Sequence, residues 1–232
     1  MIVIKGEPQV RLAVDTGPEQ PPTRAVWLGT ILKDRVLAGQ YRPGERIREG
    51  DLQREFGLSN GPIREALQGL IAEGLAEKSP WQGVSVIDLS DREIVELFQI
   101  RLALMEYAAE RAALEAPAEV LQQAPALKAA VERAFGEVRA GAASPSGNRQ
   151  LSRWILAGAG NQMMTKAWDR TVGMSHIYVN TLLRSDDEAN NVRIIHALID
   201  AIVARDPAAA RARVRELTAK TVSGLGIGGG AL

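Results

Sequence analysis

The chain has no cysteine in its 232 residues. That excludes a disulfide framework and any thiolate metal site, and it fits a reducing, cytoplasmic setting. Histidine is almost as scarce, with only His176 and His196, so no cluster of imidazole ligands can form. Aromatic residues make up 4%, which points to packing through small and branched aliphatic side chains. No apolar run approaches the roughly 18 residues that a bilayer-crossing helix needs. The first residues lack the charged-then-apolar order of a secretory signal, so the expectation is a soluble, unprocessed chain with no membrane partner. An excess of charge is missing too, with 28 Lys and Arg against 28 Asp and Glu. Any binding to nucleic acid must therefore depend on where particular arginines point, not on bulk attraction.

What remains is ordinary globular material, 46% apolar and 24% charged, long enough for one large domain or two. Residues 1–22, with Gly17, Pro18, Pro21 and Pro22, read as a flexible arm. From Thr23 to about Ala38 the spacing of Leu28, Ile31, Leu32 and Val36 predicts a helix. Pro43-Gly44 marks a turn, Glu49 to Phe56 a second helix, and Gly57 its stop. Ile63, Ala66, Leu67, Leu70 and Ile71 form the buried stripe of a third, which Ser59 or Asn60 can cap and Gly74 ends. Ala76 to Ile87, interrupted by Pro80-Trp81-Gln82-Gly83, predicts a β-hairpin. Ser90-Asp91-Arg92-Glu93 is a capping box that opens a new domain. Helical spacing then continues to about Val222, interrupted at Gly141–Gly147 and at the glycines 158 and 160, which read as helix ends. Gly224 to Gly230 reads as a tail. The expected fold class is mostly α, a winged helix-turn-helix followed by an all-α antiparallel bundle. The units are 1–22, 23–87, 88–223 and 224–232.

Asn60, Arg64 and Gln68 share one polar stripe of the third helix, opposite its core stripe. Arginine pairs bidentately with guanine, and Asn or Gln with adenine. The helix N-terminus, with Ser59 as an added donor, suits a phosphate. A short helix, a glycine turn, an amphipathic helix and a hairpin, in that order, make the winged variant of the helix-turn-helix.

At these residues the sequence resembles the GntR family of bacterial regulators. The resemblance lies in Leu37-Ala38-Gly39-Gln40-Tyr41-Arg42-Pro43-Gly44-Glu45-Arg46-Ile47, Leu52 to Ser59, Pro62-Ile63-Arg64-Glu65-Ala66-Leu67, Glu73-Gly74-Leu75 and Gly83-Val84. The all-helical remainder is similar to the FCD-type effector domain of the FadR branch. The resemblance implies DNA contacts from Ser59, Asn60, Gly61, Arg64, Gln82 and Gly83, and Arg46, Arg48 and Gln68 join the candidates. Two positions depart from the family pattern. Asn60-Gly61 replaces the usual Arg-Thr, and Gln82 replaces a basic residue or His. The expectation is that Asn60 shifts base preference toward adenine.

Many FadR-type relatives hold a metal with one Asp and three His. The corresponding positions here are Asn148, Ser152, His196 and one near Leu217, so three of four ligands are missing and no metal or other cofactor is expected. Arg101, Asn148, Ser152 and His196 are the candidate effector-pocket residues, with Trp154 and Trp168 as possible walls. Arg101 reads either as a partner for a ligand carboxylate or as one half of a structural ion pair with Glu106 or with a neighbouring helix. Expected partners are a small-molecule effector, a second copy of the chain, and a double-stranded operator with two-fold pseudo-symmetry. An enzyme is disfavoured, since no nucleophile elbow or phosphate-binding loop is present. The alternative is a winged protein-interaction module that no longer binds specific DNA.

Overall fold

A computed structural model of the chain describes residues 23–79, 83–139, 146–182 and 188–227. The expected arm at 1–22 and the wing tip with Gln82 lie outside the described residues. Helix α1 spans Arg24–Leu37, and Thr23 caps it by accepting from the Val26 amide at 3.3 Å. Strand β1 (Arg46–Ile47), α2 (Glu49–Phe56) and α3 (Asn60–Ala72) follow. Strands β2 (Ala76–Ser79) and β3 (Gly83–Val86) then form the expected hairpin. The antiparallel sheet runs in the order β1-β3-β2, with Arg46 opposite Ser85 and Ile47 opposite Val84. β1 was not anticipated, because two residues are too short to show the alternation that marks a strand.

Leu28, Leu32, Ile63, Leu67 and Leu70 meet Ile47, Leu75 and Val86 in one closed core. Each such side chain contributes about 1.5–3 kcal/mol when taken out of water. The chain leaves α3 through Gly74 at φ +70°, a left-handed turn that glycine adopts without strain. Ser59 stands at the N-cap of α3, yet its side chain makes no capping bond. Asn60 does not cap it either, because its Oδ1 accepts from Gln53 Nε2 at 2.6 Å.

The second unit starts at the expected capping box. Ser90 Oγ accepts from the Glu93 amide at 3.4 Å, and Glu93 Oε2 accepts from the Ser90 amide at 2.9 Å. Helix α4 (Asp91–Glu115) is the central rod, with α5 (Ala118–Leu121), α6 (Ala124–Arg139), α7 (Ser146–Ala159), α8 (Gln162–Leu182), α9 (Glu188–Val203) and α10 (Pro207–Gly224) around it. Its inner face is Ala108, Ala109, Ala112, Ala113 and Ala116, which lets neighbouring helices approach closely. Gly158 lies inside α7, where a Cβ would stand 3.0 Å from that of Ala112 and 3.1 Å from that of Ala116. It is a packing glycine and not the helix end read from the sequence; Gly160, at φ +64°, takes that role. α10 continues to Gly224, and Ile227 beyond it is buried against Ile94 and Phe98. The stretch read as tail is thus packed as far as residue 227.

Helix α8 joins the two units. Met174 lies against Gly74, and Ile177 packs on the winged core. Tyr178 Oη accepts from the Leu89 amide at 2.6 Å. A Cβ on Gly173 would stand 2.8 Å from the Glu73 carbonyl oxygen, so only glycine permits this approach.

Candidate nucleic-acid interface and ligand cavity

The winged unit presents one exposed polar face. Ser59, Asn60, Gly61, Arg64 and Gln68 are all exposed along the start and outer stripe of α3. Arg46 and Arg48 are exposed beside them. Gly83 sits at φ +83°, and its missing side chain leaves room for the Arg46 guanidinium, with Nη2 3.3 Å from where a Cβ would be. This brings the wing base next to an arginine of β1. Arg64 does not point freely outward, since its Nε donates to Glu49 Oε2 at 3.0 Å. Glu49 is the first residue of α2, so Arg64 ties the start of α2 to α3 through its Nε while its side chain stays 67% exposed.

A cavity of about 800 Å³ lies mainly among the helices of the second unit and reaches α1 and the end of α3. Met105, Phe135, Ile155, Leu198 and Val214 line its apolar part. Arg101 enters from α4. Its Nη1 donates to Thr171 Oγ1 at 2.7 Å, and the guanidinium lies 3.8 Å over the Trp168 ring. Among the described residues no carboxylate pairs with Arg101. The Glu106 considered from the sequence instead pairs with Arg215. Burial lowers the Arg101 pKa to about 10, because a cation in an apolar wall loses hydration that no anion replaces.

Ser152 also lines the cavity, but His196 does not. His196 lies 3.7 Å from Glu132 Oε1. Asn148 is in the first turns of α7, and its side chain falls outside the described residues. Trp168 is a wall of the cavity, whereas Trp154 is core, donating from Nε1 to the Val120 carbonyl at 2.7 Å. Three contributors escaped sequence reasoning: Thr171 as the partner of Arg101, His176 as a cavity residue, and Lys33 from the other unit. His176 was visible only as a lone histidine. Its proximity to Arg101 depends on how α8 crosses α4, which no spacing rule encodes.

Of the positions that the resemblance assigns to metal ligands, Ser152 offers only a hydroxyl and the stretch near Leu217 no imidazole; among the described residues no group of three His, Asp or Glu that could hold an ion is found. No helix among them is long and apolar enough to cross a membrane.

Residues 28–86 match the family described as bacterial regulatory proteins, gntR family, and residues 96–220 match the FCD domain. YdhC of Bacillus subtilis (strain 168), an uncharacterized HTH-type transcriptional regulator, is 38% identical over 90 residues. That alignment covers 39% of this chain and 40% of YdhC. The HTH-type transcriptional repressor GlaR of Escherichia coli (strain K12) is 26% identical over 80% of this chain and 88% of its own. The solved structure of E. coli McbR/YncC superposes with a TM-score of 0.71 over 88% of this chain and 98% of its own, at 19% identity, which is a likeness of fold. With a winged helix-turn-helix matching one family profile and a helical unit matching the other over more than half its length, the chain belongs to the GntR family of DNA-binding transcription regulators and carries an FCD domain.

Proposed function

We propose that the protein is a cytoplasmic repressor of the FadR branch. It binds a two-fold pseudo-symmetric operator as a homodimer and responds to a small organic acid in its helical domain. Arg101 carries the effector reading. A guanidinium that is half-buried, stacked on Trp168, held by Thr171 and unopposed by any carboxylate among the described residues suits a ligand carboxylate. The apolar lining of the rest of the cavity suits a carbon skeleton. The effector binds without a resident metal. On the DNA side, Arg64 reaches a base, while Ser59 and the start of α3 meet a phosphate. The name of GlaR as a repressor supports the sign of action.

The test is selection of binding sites from random-sequence DNA by the full chain. The expected product is a near-palindrome with half-sites about one turn (roughly 34 Å) apart, with adenine facing Asn60. Arg64→Ala then costs about 1–3 kcal/mol of specific affinity. Failure to enrich any sequence at low salt overturns the reading and favours a protein-interaction module.

A further inference from the structure

The cavity is not confined to the helical domain. Lys33 and Leu37 of α1, and Ala72 and Glu73 at the end of α3, also line it, so the winged domain forms one wall. Its charged lining is lopsided. Among the described lining residues, Lys33, Arg101, Arg149, Arg153 and Arg170 stand against Glu73 and Asp169, in a chain whose net charge is zero. Asp169 is taken by Arg153 at 3.0 Å, and Glu73 by Lys33. His176 lines the same cavity as Lys33, Arg101 and Arg149. It is 7% exposed, and its Nδ1 has no hydrogen-bond partner among the described residues. Arg149, Arg101 and Lys33 all act on its charge. Among the described residues nothing bonds this buried nitrogen, and a turn of the ring toward the cavity that His176 lines makes it a donor to an anion there.

We propose that the junction end of the cavity is a second anion subsite, formed by Lys33, Arg149 and His176. The effector is then a two-headed acid. One carboxylate meets Arg101, and the other takes Lys33 from Glu73. This rests on the reading of Arg101 as the effector's anchor.

The subsite has a direct route to DNA. Glu73 is the C-cap residue of the reading helix α3, and its carbonyl oxygen lies against Gly173 of α8. Helix α8 also carries His176. An anion on Lys33 repels the Glu73 carboxylate, and so acts on the end of α3. A two-headed acid holds both domains at once, while a one-headed acid on Arg101 touches the helical domain alone. Only the former fixes the angle between them.

The experiment is calorimetric titration of the full chain with straight-chain dicarboxylates from malonate to adipate, and with monocarboxylates of matching length. One dicarboxylate is expected to bind at least about tenfold tighter than its one-headed counterpart, the worth of one charge-assisted contact. Lys33→Met erases that preference and leaves monocarboxylate binding unchanged. The Lys33 side chain is 40% exposed, so the fold tolerates the change, which circular dichroism checks. Glu73→Gln, no longer a charged competitor, strengthens dicarboxylate binding only. Equal affinities in the unaltered protein, or a preference that survives Lys33→Met, overturn the subsite and leave the anchor standing. An unchanged preference in Glu73→Gln overturns the displacement of Glu73. If no acid binds, or binding ignores Arg101→Met, the anchor itself falls and the subsite with it.

Discussion

His176 shows how a single side chain can report on its surroundings. Burial is the main cause that lowers its pKa from 6.5 to about 4, and the charges of Arg149, Arg101 and Lys33 add to it. The folded protein therefore keeps His176 neutral in a range where the unfolded chain protonates it. The stability this contributes is present above pH 6.5 and is lost as pH falls through about 4. The full loss is on the order of 3 kcal/mol for a shift of this size. Urea unfolding of His176→Gln beside the unaltered protein isolates the effect, since other titrating groups are common to both. The stability gap between them should change by that amount, falling most steeply between pH 6.5 and 4. Parallel pH profiles would rule out the buried, neutral imidazole. At this scale the sequence was only partly legible. Arg101 stood out through its family resemblance, and Arg64 through its place on a polar stripe. Lys33, Thr171 and His176 did not, because they come from α1 and α8 and acquire meaning only where α8 packs against α1 and α4.

Between elements, fit is set by which faces are narrow enough to touch. The periodic elements were legible in sequence because one buried stripe repeats along each, as with Ile63, Ala66, Leu67 and Leu70 in α3. Gly158 was misread for the opposite reason. Glycine usually ends helices, and only the alanine face of α4 explains one that is still inside the last turn of α7. Gly136, within α6, has nothing within 4 Å of its would-be Cβ. Replacing either by alanine gains about 0.5–1 kcal/mol from backbone entropy. At Gly158 the added methyl must also push apart α7 and α4, an overpacking cost of about 1–3 kcal/mol. Thus Gly136→Ala should raise the thermal midpoint, and Gly158→Ala should leave it unchanged or lower it. The difference between the two variants measures the packing cost alone. Equal midpoints would mean that α7 can shift without loss, and that the close approach to Ala112 and Ala116 is not structurally important.

For the whole molecule, the question is how one winged domain becomes a selective reader. A single reading helix touches few base pairs, and a two-fold dimer doubles the contacts while fixing the spacing of half-sites. The chain carries a surface suited to that role. Ile100, Tyr107 and Leu114 are 56%, 50% and 54% exposed, and their spacing of seven places them along one side of α4. Three large apolar side chains in a row on one helix are costly to leave in water. The helix that bears them also carries Arg101, and it packs on α7 and α10 by its opposite, alanine-rich side. A dimer formed through this stripe would place the two Arg101 side chains on the paired helices. It would also let a change in either cavity act on the separation of the two winged domains. Ile100→Glu and Leu114→Glu put unpaired carboxylates into such an interface, each costing several kcal/mol if fully desolvated. That is enough to weaken association by more than about a hundredfold. Sedimentation should show a dimer for the unaltered protein and a monomer for the double variant, which keeps its helical circular dichroism. The same variant should bind a selected half-site as before and lose its preference for the full palindrome. A double variant that still sediments as a dimer moves the interface away from α4. A monomeric unaltered protein that nonetheless selects a palindrome would leave two-fold recognition to assembly on DNA alone.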